Sequence, residues 1–357
     1  SVDTWVRCVF RGAECCDTGT PFAAGPFPLS ARGADSKECR YLVLSGGVGG
    51  AKLVQGLVLC RPPAELMVVG NVGDDFEHWG LHISPDLDTL MYTLAGVANE
   101  ETGWGRAGET WRVLDEVTRL GGESWFRLGD RDLAVHIERT RRLKSGVPLS
   151  AVTTGLCRAL DVDVSVLPVT DDRLRTVVET TDGELDFQTY FVHRRCEPVV
   201  TGLRFEGAST SILLPDIGSA LEDPGLSAVI LCPSNPFLSL DPILAAGGLR
   251  RCLQQCEAPV VAVSPMIGSK SFKGPTAKIM EELGYNPSTL SLARYYSDLL
   301  DGYVIDDTDA DLSDEIEKIG IRVRTAGTRM DSLDRKEKLA AEVVAFSETI
   351  ERERSGS

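Results

Sequence analysis

The chain has 357 residues, a formal net charge of −16 and ten cysteines, a length that buries a large core as one α/β domain or as a domain with a sizeable insertion. A chain this acidic, with no basic patch, argues against a nucleic-acid duplex or an anionic membrane surface as the main partner. Small anionic substrates fit it better, because an acidic protein holds them through backbone donors, a few cations and Mg²⁺.

No apolar run reaches the roughly 18 residues of a membrane span, and no charged-then-apolar layout opens the sequence, so a cytoplasmic protein is expected. In that setting the irregularly spaced cysteines read as reduced thiols rather than a disulfide frame. Cys252 and Cys256 fall four apart on an expected helix, but no second Cys or His pair accompanies them as a zinc site requires.

Residues 1–38, rich in Gly, Ala, Ser, Pro and Cys, show no sustained period and are expected to form a poorly ordered extension. Order is expected from Tyr41, where the apolar run YLVLS leads into a glycine loop and then the helical pattern AKLVQGLVLC. ELMVVGN reads as a second buried strand. GETWRVLDEVTRLG and RDLAVHIERTRRLKSG read as amphipathic helices, the second ending in a basic turn and Gly146. Ser150 is the expected N-cap of AVTTGLCRAL. VSVLPVT, LRTVVET and DFQTYFV are expected strands, with TDGE at 181–184 turning between two of them. SAVILC, APVVAVS and DGYVIDD then alternate with helical stretches and run straight into polar loops. The pattern is α/β with a largely parallel sheet flanked by helices, and ligands of such sheets bind beyond the carboxyl ends of the strands.

Four stretches at those ends can carry chemistry. The loop of Gly46, Gly47, Gly49 and Gly50, followed by Lys52, fits neither G-x-x-x-x-G-K-[ST] nor G-x-G-x-x-G. Glycines at a strand-to-helix turn nevertheless bring free N–H groups and the helix dipole to an anion, or else simply allow a tight turn. NVGDD places Asn71, Asp74 and Asp75 after the second strand; the paired carboxylates either hold Mg²⁺ or sit in a solvated loop. In SPDLDT, Asp86 and Asp88 precede Thr89, and the D-x-D can cap the helix, bind metal or accept a hydrogen bond from a substrate hydroxyl. Arg131, between Asp130 and Asp132, is a structural ion pair or a ligand clamp. His78, His82, His136 and His193 read as packing residues. Further on, Ser234, Asn235, Ser264, Gly268, Lys270 and Lys273 offer donors in two loops, though turns favour the same residue types.

Together the stretches SGGVGGAK, NVGDD, SPDLDTLMYTL, GWGRAGETW, LGDRDLAVHIERT, LPVTDD, DFQTYFV, PSNPFLSLDPIL, VSPMIGSKSFKGP and YYSDLLDGYVIDD resemble the CofD/FbiA family in order and spacing. These are the 2-phospho-L-lactate or phosphoenolpyruvate transferases of coenzyme F-420 biosynthesis. The resemblance spans about residues 41–345. It implies a Rossmann-like core over 39–350 with a smaller inserted α/β region at roughly 100–210, Mg²⁺ as cofactor, and a homodimer.

The implied reaction joins the 5′-hydroxyl of the deazaflavin Fo to a phosphorylated three-carbon acid (2-phospholactate, phosphoenolpyruvate or 3-phosphoglycerate), taken from its guanosine diphosphate diester with release of GMP. By similarity, Asp74, Asp75, Asp86 and Asp88 would hold the metal, Asp86 and Asp88 would also orient the hydroxyl, and Arg131 would contact Fo or the moving phosphate. The donor would lie against Gly46, Gly47, Gly49, Gly50, Lys52, Asn71 and Thr89, and against Ser234, Asn235, Ser264, Gly268 and Lys273. The three donors differ by a methyl, a methylene or a hydroxymethyl, differences worth roughly 1 to 3 kcal/mol through pocket shape. The competing readings are a non-catalytic nucleotide or deazaflavin carrier, for which several acids beside a phosphate cradle are a liability, and a nicotinamide oxidoreductase, for which the fingerprint fails.

Overall fold

The computed structural model describes residues 39–268, 270–271 and 275–355. The extension expected at 1–38 and the side chains of Lys270 and Lys273 lie outside what is described.

Among the described residues, fourteen strands follow in chain order: β1 (Tyr41–Ser45), β2 (Leu66–Gly70), β3 (Phe76–His78), β4 (Leu81–Ile83), β5 (Ser165–Pro168), β6 (Arg175–Thr180), β7 (Gly183–Asp186), β8 (Val200–Glu206), β9 (Ala228–Leu231), β10 (Val260–Val263), β11 (Met266–Ile267), β12 (Lys270–Ser271), β13 (Gly302–Asp306) and β14 (Arg322–Ala326). Seven of them form one sheet in the order β14-β13-β10-β9-β1-β2-β5. Every pairing in it is parallel, with Val43 opposite Val68 on one side and Ile230 on the other. Continuous apolar runs are what such strands need, since helices cover both faces; all of β1, β9 and β10 is buried.

Chain order in this sheet runs outward from β1 in both directions, β2 and β5 one way, β9, β10, β13 and β14 the other. The reversal between β1 and β9 is a topological switch point, which leaves a crevice between the loops that follow those two strands. The glycine loop follows β1, and Cys232–Asn235 follows β9.

Helix α1 (Gly47–Cys60) begins inside the glycine loop, earlier than the apolar pattern indicated. Beyond it come α2 (Pro85–Leu94), α3 (Arg112–Arg119), α4 (Asp130–Lys144) and α5 (Leu149–Ala159). The C-terminal helix Leu333–Ser355 lies so close to α1 that a Cβ on Gly56 would strike the Lys336 carbonyl. Helix α5 starts one residue before the expected cap: Ser150 lies in its first turn and donates to Asp171 Oδ2 at 2.8 Å.

β6, β7 and β8 form a separate antiparallel sheet, with the turn at 181–182 where TDGE placed it. Within the stretch 100–210, β5 is the edge strand of the main sheet, while β6, β7 and β8 lie outside that sheet. DFQTYFV departs from the expected strand. Only its first residue is extended, and Thr189–His193 makes a π-helical turn. Its aromatic residues Phe187, Tyr190 and Phe191 recur at three and four residues, a helical rather than a period-2 spacing, and the turn stacks Phe187 on Phe191 with ring centres 5.3 Å apart. Among the described residues no helix is long and apolar enough to cross a membrane.

Candidate active site

A cavity of about 630 Å³ opens beyond the carboxyl ends of β1, β9 and β10, within the several-hundred-Å³ range of small-molecule sites. One part of its wall is polar: Gly46, Gly47, Gly49, Lys52, Asp74, Asp86, Thr89, Ser234, Asn235 and Ser264, all expected from the sequence. Another part is aromatic, with Trp104, Trp125, Phe126, Phe187 and Phe191, and carries Arg127.

The polar wall is held by its own hydrogen bonds. Gly47 has φ +66°, which disfavours any side chain, and its N–H at the head of α1 donates to Asp86 Oδ1 at 2.7 Å. The first-turn N–H groups of Val48 and Gly49 have no acceptor within the helix, and both residues line the cavity. Gly50 stands behind the wall, where a Cβ would come within 2.7 Å of Ser234 Oγ. That hydroxyl accepts from the Gly46 N–H at 3.1 Å, which ties the loop after β1 to the loop after β9.

Asn71 joins the two cavity carboxylates. Its Nδ2 donates to Asp86 Oδ2 at 3.0 Å and to Asp74 Oδ1 at 3.2 Å, while its Oδ1 accepts from the Gly73 N–H at 2.7 Å. Burial, reinforced by the charges of Asp86 and Asp75, holds Asp74 well above the usual carboxylate range. Burial also pushes Asp86 up to about 6, against the opposing pull of its hydrogen bonds from Asn71 and Gly47. Two acids this reluctant to ionise side by side are stabilised by a cation.

The other two aspartates of the expected metal set face elsewhere. Asp75 accepts from Ser84 Oγ at 2.8 Å and stands 2.9 Å from His82 Nε2; its buried Oδ1 has no hydrogen-bond partner. Asp88 is bound by both terminal nitrogens of Arg139, Nη1 at 3.0 Å, on the side of α2 away from the cavity. Burial disfavours the charge of Arg139, yet Asp88 more than offsets it and raises the guanidinium above its ordinary value.

Arg131 does not line the cavity; it is exposed on the first turn of α4. Its two acidic neighbours have separate tasks. Asp130 accepts from the Arg112 and Val113 N–H groups and so caps α3, whereas Glu109 accepts from the Arg131 and Asp132 N–H groups at 2.8 Å and caps α4. Asp132 is instead buried and accepts from Tyr92 Oη at 2.6 Å. The Gly268 N–H donates to Asp309, outside the cavity lining, and Asn235 caps the turn Pro236–Leu240 while its Nδ2 donates to Thr276 Oγ1 at 3.1 Å.

None of the four histidines lines the cavity: His78 packs among aromatic rings, His193 stacks on Trp125, and His82 and His136 engage aspartates. Among the described residues no group of three or more His, Cys, Asp or Glu side chains gathers as a metal site. Asp74 and Asp86 alone nevertheless suit Mg²⁺, which typically takes one or two protein carboxylates and completes its shell with water and substrate phosphate.

The aromatic wall and Arg127 were not among the expected site residues. The guanidinium of Arg127 lies over the Trp111 ring, 4.4 Å from its centre, an arrangement that fixes a cation without neutralising it. The available signal was the concentration of aromatics in GWGRAGETW, ESWFR and DFQTYF, three short stretches brought together only by the fold.

The family model described as 2-phospho-L-lactate transferase CofD matches residues 42–347. A Streptomyces griseus protein named phosphoenolpyruvate transferase is 40% identical over 317 residues, covering 87% of this chain and 99% of that protein. A Methanothermobacter thermautotrophicus protein named 2-phospho-L-lactate transferase is 40% identical over 304 residues, covering 85% and 97%. Among solved structures, a Bacillus halodurans protein of the UPF0052 family shares the fold at a TM-score of 0.55 and 13% identity, covering 85% of this chain and 98% of that one. The chain belongs to the 2-phospho-L-lactate transferase CofD family.

Proposed function

We propose that this chain transfers a phosphorylated three-carbon acid from its guanosine diphosphate diester to the 5′-hydroxyl of the deazaflavin Fo, releasing GMP. The observation that carries the reading is the presence in one cavity of a glycine-loop helix start with Lys52, a pair of buried carboxylates and an aromatic wall. A diphosphate, a divalent cation and a flat heterocycle are the three things such walls recognise.

In this reading the Val48 and Gly49 N–H groups and Lys52 hold diphosphate oxygens, and the aromatic wall holds the Fo ring so that its ribityl chain reaches the polar part. Asp74 and Asp86 would hold Mg²⁺, which supplies charge neutralisation for the diphosphate when bound. Asp86, kept in place by Gly47 and Asn71, accepts the proton of the attacking hydroxyl. The hydroxyl oxygen forms a bond to the phosphorus nearer the acyl group, the bond from that phosphorus to the bridging oxygen breaks, and GMP leaves with that oxygen. Little covalent work falls to the protein, so placement and charge carry most of the catalysis.

The test is the purified chain with Fo, Mg²⁺ and the phospholactyl, phosphoenolpyruvyl and phosphoglyceryl donors in competition, followed by mass spectrometry. The reading expects GMP and one dominant phosphodiester product. No GMP from any donor overturns it.

A further inference from the structure

Asp88 and Tyr92 lie one turn apart on α2, and both bond to α4: Asp88 to Arg139, and Tyr92 Oη to Asp132. Ascending positions on one helix meet descending positions on the other, so the two contacts are rungs of an antiparallel ladder. His136 lies between them, its Nδ1 3.1 Å from Arg139 Nη1 and its Nε2 3.2 Å from Asp132 Oδ1. A guanidinium only donates, so the His136 Nδ1 accepts from Arg139. Arg139 is only 1% exposed, and a planar fork bound to both oxygens of a carboxylate fixes orientation as well as distance.

On α2, Asp86 and Thr89 line the cavity while Asp88 does not. The head of this helix is therefore fastened on two sides: Asp86 to the Gly47 N–H in front, and Asp88 to Arg139 behind. We propose that Arg139 is a positioning residue for the transfer reaction, holding the first turn of α2 through Asp88 so that Asp86 stays against Gly47 and faces the cavity. The inference rests on the transfer reaction proposed above for its kinetic consequence, but its structural half stands apart from it. An ion pair kept only for stability is replaceable by apolar side chains of similar volume at little cost. A pair that aims a carboxylate is not, because misplacement by about 1 Å costs roughly a hundredfold in rate.

The experiment compares wild type with Arg139→Lys and with the double variant Asp88→Leu/Arg139→Met. Three quantities are measured: the thermal midpoint, amide hydrogen exchange at Gly47, and kcat separately from KM for both substrates. For folded Arg139→Lys the expectation is exchange at Gly47 faster by about tenfold or more and kcat lower by at least about tenfold, with both KM values within about threefold. A folded double variant is expected to be equally slow, even with a wild-type midpoint. Unchanged exchange at Gly47, or kcat within about twofold of wild type in either folded variant, overturns the proposal. Should the double variant not fold, Arg139→Lys decides alone. A wild type without turnover would fail the transfer reading, while the exchange measurement would still test the positioning.

Discussion

The N–H of Gly47 donates to Asp86 Oδ1 at 2.7 Å, so the amide at the head of α1 is satisfied by a carboxylate from the first turn of α2. The positive end of α1 thus fixes an acid at the cavity wall, and the next two residues of the same turn, Val48 and Gly49, also line the cavity. The glycine loop and the D-x-D stretch are in this way two halves of one device.

If Asp86 takes the proton from the attacking hydroxyl, Asp86→Asn should lower kcat by about 10² to 10⁴ while the protein stays folded. GMP release and a thermal melt on the same sample check it. A variant that retains more than about a tenth of wild-type kcat would assign proton removal elsewhere.

The raised pKa of Asp86 has a definite sign for stability. Its folded value of about 6 lies above the ordinary 3.8, so the folded state holds the proton more tightly than the unfolded chain does. The stabilisation from this group is complete below about pH 4 and is lost as pH rises through about 6, by on the order of 1–3 kcal/mol. In metal-free protein, the melting midpoint of Asp86→Asn relative to wild type should therefore rise between about pH 4.5 and pH 7.5. A difference that stays flat over this interval would show that Asp86 ionises without penalty.

Cation binding requires the same proton to leave. Mg²⁺ should raise the wild-type melting midpoint at about pH 7.5 and much less at about pH 4.5, and Asp74→Asn should remove most of the effect. Chelation with EDTA should abolish GMP release, with recovery on adding Mg²⁺. An equal shift at both pH values would place the ion away from these carboxylates.

The stacked pair Phe187 and Phe191 forms part of the aromatic wall. Phe191→Ala should raise KM for Fo by roughly 5- to 100-fold, the range for loss of one stacking partner, and leave KM for the donor nearly unchanged. Steady-state kinetics with each substrate varied in turn distinguishes this from a change confined to the donor.

Much of the sheet was legible in the sequence, because strands covered on both faces announce themselves as short continuous apolar runs; β1, β2, β9, β10 and β13 all stand where such runs occur. The glycine loop was legible as a strand-to-helix turn, where Gly47 takes a positive φ. What stayed hidden depended on distant partners. The bond between Arg139 and Asp88 joins residues 51 positions apart; Arg139 lies four residues from both Val135 and Leu143, so its burial could be read from the helical period of α4, but its partner could not. Likewise, nothing local to LGDRDLAVH shows that Asp130 caps α3 and leaves the cap of α4 to Glu109. The strand expected at DFQTYFV failed because it rested on β-forming residue types, whereas the spacing of Phe187, Tyr190 and Phe191 at three and four residues belongs to a helical turn.

The central claim is that the hydroxyl of Fo attacks the phosphorus nearer the acyl group, and the direct measurement is turnover of Fo labelled with oxygen-18 at its 5′-hydroxyl. The account predicts that the label appears in the phosphodiester linking Fo to the three-carbon acid and that the released GMP is unlabelled. Label recovered in a guanylyl ester of Fo, with the phosphorylated acid released instead, would contradict it.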